Sequence, residues 1–139
     1  MNLSIEPIAM PVDTRPENLE RFLKRWNVMA YMAHPFSGDF ENIRRSNDMA
    51  ESILEKYPNI VLINPLTNFE YMRNRSEGEI LAACLRVVRK CDILLLTGHW
   101  RMSRGCWEEL YTATWGMGMP AISLADDLTP HAVSVVGRG

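Results

Sequence analysis

The chain has 139 residues, 47% hydrophobic and 23% charged, which is enough for one cored domain and too few for two ordinary ones. Fifteen Lys and Arg against seventeen Asp and Glu leave a formal net charge of -2, so no overall positive field draws nucleic acid or anionic lipid, and any anion site has to be local. Three cysteines scattered through periodic segments make no disulfide framework, no apolar run nears the roughly 18 residues of a membrane span, and residues 1–6 lack a signal peptide's basic start. The expectation is a cytoplasmic protein with no membrane or nucleic-acid partner.

Residues 1–13 hold Pro7, Pro11 and isolated aliphatics without period, and read as an irregular arm. Leu19, Phe22, Leu23 and Trp26 then predict a short amphipathic helix over 16–26, with Thr14 as a possible cap. Residues 1–26 thus form an arm and short helix ahead of a domain over 27–139.

Residues 27–33 are nearly uncharged, as a strand buried on both faces requires, and break at the polar loop 34–39. Asp39 can cap a helix whose stripe runs through Phe40, Ile43, Ala50, Ile53, Leu54 and Tyr57 to Pro58. A second strand over 60–63 closes at Asn64-Pro65; residues 66–75 carry no clear period. Ser76 and Glu79 match a capping box before a helix to about Lys90, and Asp92 to Thr97 is the strongest strand. After the loop 98–105 a helix through Leu110, Tyr111 and Trp115 stops at Gly116 or Gly118. Residues 120–124 and 132–136 read as a fourth and a fifth strand.

Strands alternating with helices predict a flavodoxin-like, doubly wound parallel sheet of four to five strands in three α/β/α layers. For the strand order 2-1-3-4-5 the ligand crevice lies between the first and third strands, bordered by the loops 34–39 and 98–105. The first loop sets Ser37 and Gly38 before a helix, where free amides favour an anion; a plain turn with an Asp39 cap fits equally well. In the second, Glu108 and Glu109 both suit a first helical turn electrostatically. Only Glu109 shares a stripe with the small Gly105 and Ala113, which lets a ligand come close. The six Cys and His positions show no paired ligand spacing, so no metal is expected.

The pieces Tyr31-Met32-Ala33-His34-Pro35-Phe36-Ser37-Gly38-Asp39, Glu41-Asn42-Ile43-Arg44-Arg45, Ile63-Asn64-Pro65, Cys91-Asp92 and Ser103-Arg104-Gly105 through Glu109 carry a resemblance. In that order, over roughly 27–124, they resemble a bacterial and phage family of unknown function described as nucleoside 2-deoxyribosyltransferase-like. Its better-understood relatives are nucleoside deoxyribosyltransferases and deoxynucleoside 5'-monophosphate N-hydrolases, which cleave the N-glycosidic bond with a glutamate nucleophile and need no cofactor.

The resemblance implies a nucleoside or nucleotide as small-molecule partner and a homo-oligomer, dimer or higher. It implies Glu109 as nucleophile, Tyr31 as a second catalytic residue that positions the sugar, and Ser103 and the loop Phe36, Ser37 and Gly38 on the phosphate side, with Gly105, from its stripe, among the substrate-binding residues. Asn64 would help to position the sugar, and Trp100 or Phe36 would contact the base. Two departures stand out. The relatives' assisting aspartate falls on Cys84, leaving His34 and His99 as substitute proton donors, and the step from Glu109 to Pro120 is one residue longer. A nucleotide-binding module without chemistry is the alternative that Cys84 keeps open.

Overall fold

A computed structural model describes residues 8–25, 27–36, 39–72 and 74–135. Strand β1 (Met29–Ala33) is buried from Ala30 onward, and its side chains alternate between two cores. Ala30 and Met32 join one cluster with Ile93, Leu95 and Ile122; Tyr31 and Ala33 join the other with Leu94, Leu96 and Ala121. That two-sided burial is why these strands read as continuous apolar runs.

The sheet order is β2-β1-β3-β4-β5, with β2 at Val61–Ile63, β3 at Ile93–Leu96, β4 at Ala121–Leu124 and β5 at Pro130–Ala132. The first four strands are parallel, giving the flavodoxin-like three-layer α/β/α arrangement expected. Two helices, α1 (Pro16–Arg25) and α2 (Phe40–Lys56), cover one face, and Leu19, Phe22 and Leu23 of α1 belong to the same core as the sheet. A short helix, α3 (Pro65–Asn68), and a 3-10 turn at Glu70–Met72 fill the segment without clear period. Helices α4 (Glu77–Val88) and α5 (Arg104–Tyr111) cover the other face.

The caps follow the sequence. Asp39 accepts the Glu41 amide at 2.9 Å, and Ser76 Oγ accepts the Glu79 amide at 3.1 Å. At α1, however, Asp13 rather than Thr14 organises the start, because its carboxylate takes both the amide and the guanidinium of Arg15. Trp26, the arm 1–7 and residues 136–139 lie outside the described residues. Asp92 accepts the Met29 amide at 2.8 Å and ties the entry of β3 to that of β1, the structural role its position implies.

Three expectations are corrected. The last strand lies at 130–132 rather than 132–136 and runs antiparallel to β4. Only residues 125–129 join the two, whereas a parallel pairing needs a crossover of a dozen or more; a turn with Leu128 at φ 67 reverses the chain instead. The helix does stop at Gly116 to Gly118 as expected, but its type differs: it is α-helical only to Tyr111, and Thr112–Gly116 is π-helical. A π turn holds more residues than an α turn, which lodges an extra residue without breaking the helix and keeps Ala113 buried. In α2, Phe40 and Leu54 stay 61% and 39% exposed, so its buried stripe is narrower than its apolar one.

Among the described residues, no helix is long and apolar enough to cross a membrane. Replacing the α2 cap, Asp39→Ala, is expected to lower stability by about 1 kcal/mol in denaturant titration with an unchanged slope.

Candidate active site

At the carboxyl ends of β1 and β3, where the strand order reverses, lies a cavity of about 410 Å³, within the range of small-molecule sites. Glu109 lines it from α5, together with Ser103 and Gly105. The carboxyl-bearing residue is only 6% exposed, while Glu108 is half-exposed, so the stripe shared with Gly105 and Ala113 does face inward. Strand β1 places Tyr31 beneath it. The Tyr31 hydroxyl is buried without a partner at hydrogen-bonding geometry, close enough to Glu109 and Cys84 for both to act on its proton affinity.

Burial pushes the Glu109 carboxyl up to about 8, and the neighbouring Tyr31 hydroxyl offsets part of that rise. Burial likewise pushes the Cys84 thiol, in the same wall, up to about 11, and holds the Tyr31 phenol well above its ordinary value. At neutral pH Glu109 and Cys84 in the cavity wall, and Tyr31 buried behind them, therefore all carry their protons.

The mouth is charged. Ser103 caps α5, its Oγ accepting the Cys106 amide at 3.2 Å, so the amides of Arg104 and Gly105 have no partner within the helix. Arg104 and Arg75 border the opening opposite one acid, Glu77; Arg75 also lies 3.6 Å from Glu79. Phe36 and Phe40 meet edge to face, with centroids 6.4 Å apart, and with Leu66 and Ile80 make the apolar wall.

The cavity thus brings together Glu109, Tyr31, Ser103, Gly105, Phe36 and His34 from the expected set, Tyr31 as a buried neighbour of the carboxyl. Ser37 and Gly38 lie outside the described residues. Three others go elsewhere. Trp100 does not face a base: it is 2% exposed, its Nε1 donates to Ser123 Oγ at 3.1 Å, and Arg101 covers the ring at 4.5 Å. A large indole with one donor is better accommodated in the core once a partner is found for that donor. Asn64 is a buried connector, its amide reaching Ser46 Oγ and Asn47 Oδ1 at 3.2 and 3.1 Å while its oxygen accepts the Leu66 amide and caps α3. His99 is exposed and lines a second cavity on the α2 side.

His34 lines both cavities but is a poor acid. Its Nδ1 lies 2.9 Å from the Pro35 carbonyl, which can only accept, so Nδ1 carries the hydrogen and the neutral ring's Nε2 is an acceptor. Burial, with Arg45 and His99 adding to it, lowers its pKa further.

Sequence reasoning missed Arg75, Arg104, Phe40 and Leu66. Arg104 sits inside the quoted motif, and Arg75 directly precedes the α4 cap, a position that matters only once α4 is seen to start over the crevice. Among the described residues no group of three or more His, Cys, Asp or Glu is placed to hold a metal, and the three cysteines are free and buried. In comparison with known proteins, the chain matches no family model, no curated protein and no solved structure.

Below about pH 4.5 folded and unfolded chains both hold the Glu109 proton; from there to about 8 only the folded chain does, so rising pH costs the fold stability in that window. Glu109→Gln removes this linkage. Denaturant titrations of the two proteins are expected to diverge from pH 5 to pH 8, to the variant's advantage, by on the order of 4 kcal/mol in all. Parallel profiles refute the buried carboxyl.

Proposed function

We propose that the protein is an N-glycosidic hydrolase or transferase that acts on a nucleoside or, by preference, a nucleoside 5'-monophosphate, with Glu109 as nucleophile. One observation carries the reading: a buried carboxyl and a helix N-terminus bordered by two arginines open into the same cavity. The substrate phosphate would lie against Ser103, Arg104 and the free amides of α5, and the base against Phe36, Phe40 and Leu66. Of these residues, the resemblance to nucleoside 2-deoxyribosyltransferase-like proteins points to Glu109, Ser103 and Phe36.

In this reaction the ionised Glu109 carboxylate attacks the anomeric carbon as the C–N bond breaks, the base takes the bonding electrons, and water or a second base later displaces Glu109. The charge developing on the sugar ring favours a carboxylate beside it. Tyr31, whose hydroxyl keeps its proton, favours the ionised form of Glu109.

Among the described residues, neither group standing where the resemblance or the loop would put a proton donor is a good acid. Cys84 holds its proton too tightly to give it up near neutrality, and His34 offers a bare nitrogen. The base must therefore leave as an anion or arrive protonated, and rates across a series of bases are expected to fall steeply as leaving-group basicity rises.

Base release from a panel of ribonucleoside and deoxynucleoside monophosphates, followed by chromatography, tests the proposal. Glu109→Ala is expected to lower the rate by about 10³-fold or more. The pH profile of kcat/KM should rise through about 8, where the carboxyl ionises, and Tyr31→Phe should move that limb upward. A profile that falls through the same pH would make Glu109 an acid and overturn its role as nucleophile.

The second reading is a nucleotide-binding module without turnover, favoured by Cys84 standing where the resemblance places an aspartate. Saturable binding with no base release supports it, and the absence of both sinks the two readings together. A homo-oligomer, carried by the resemblance alone, belongs to the same proposal, and sedimentation tests it.

A further inference from the structure

The second cavity, of about 540 Å³, lies over the carboxyl ends of β1 and β3 on the α2 side, with His34 as the wall between it and the Glu109 cavity. The His34 ring lies against Gly98. That glycine has φ +62, and a Cβ on it would sit 3.0 Å from His34 Nε2, so only glycine lets the ring lie there.

Arg45 from α2 and His99 from the loop after β3 both line this cavity, and both add to the burial that lowers the His34 pKa. Arg45 hydrogen-bonds Asn42 Oδ1 at 3.2 Å, and among the described residues it makes no salt bridge to a carboxylate. Asp126, beyond β4, is the single acid in the lining. A lining of basic nitrogens and one carboxylate suits a ligand with one anionic group and one hydroxyl donor. An inorganic anion leaves the carboxylate uncompensated, and a second phosphate is repelled by it.

We propose that this cavity binds the phosphate monoester of a hydroxylated carbon skeleton, a sugar phosphate, with the phosphate on Arg45 and His99 and a hydroxyl donating to Asp126. The proposal does not depend on Glu109 or on turnover.

The test titrates the full chain with ribose 5-phosphate and with inorganic phosphate, following the His99 imidazole resonance by NMR. Ribose 5-phosphate is expected to move it saturably and to bind more tightly than phosphate. Arg45→Ala should weaken both by about tenfold or more. Asp126→Asn should abolish the preference for the sugar phosphate while tightening phosphate itself. Arg45 and Asp126 are exposed, so both variants should fold. Ser103→Ala and Glu109→Gln should leave the His99 isotherm unchanged. The proposal is overturned by no saturable shift up to about 10 mM, by a shift indifferent to Arg45→Ala, by equal affinity for the two probes, or by loss of the shift in Ser103→Ala, which would assign the phosphate to the other cavity. Base release, present or absent, bears only on the Glu109 cavity.

Discussion

The constraint on which this molecule turns is the burial of one carboxyl, Glu109, against the Tyr31 hydroxyl and the Cys84 thiol. An ionised carboxylate taken out of water without a cation costs several kcal/mol, and what shifts this one is burial, with only the phenol to relieve it. The two arginines stand at the mouth of the cavity rather than beside the carboxyl. A leucine or glutamine would satisfy the packing more cheaply, so the fold carries a group that its stability does not need. Such sites are where proteins give up stability for chemistry or recognition.

The parallel sheet makes this burial tolerable and keeps it reachable. Because β1 is buried on both faces, Tyr31 and Met32 enter opposite cores, and the side chains above the strand end inherit the same division. The reversal of strand order between β1 and β3 then leaves a gap above their carboxyl ends that neither α2 nor α5 fills. His34, the residue after β1, stands in that gap and divides it, so one topological feature yields two cavities of different character: one with a buried acid and two arginines in its lining, the other with basic groups and a single exposed acid.

Most of this architecture could be read from local pattern, since strands buried on both faces and capped helices leave marks within a few residues. Asp39, Ser76 and the inward face of Glu109 were all legible that way. What escaped depended on distances along or across the chain that periodicity does not encode. The direction of β5 was set by the five-residue reach of 125–129 rather than by its own apolar residues. Trp100 was misread because a loop tryptophan looks available until Ser123, from another strand, accepts its indole hydrogen. Asn64 likewise looked free until α2 supplied Ser46 and Asn47 as partners. Arg75 was invisible because its value lies in where α4 begins in space, and residues 66–75 carry no period from which to infer that.

Cys84 bears most directly on what such a site can do. An acid at this place would share the cavity with Glu109, and two carboxyls in one desolvated pocket raise each other's pKa, so that one stays protonated to serve the leaving group and the other ionises to attack. With a thiol there the division of labour is lost. Among the described residues no second carboxyl acts on Glu109, and in the proposed reaction its own proton has to leave before the carboxylate can attack. Burial, which in a carboxyl pair helps to separate the two roles, here only delays the single one. Under the proposed chemistry, such a site suits substrates whose bond is already weakened.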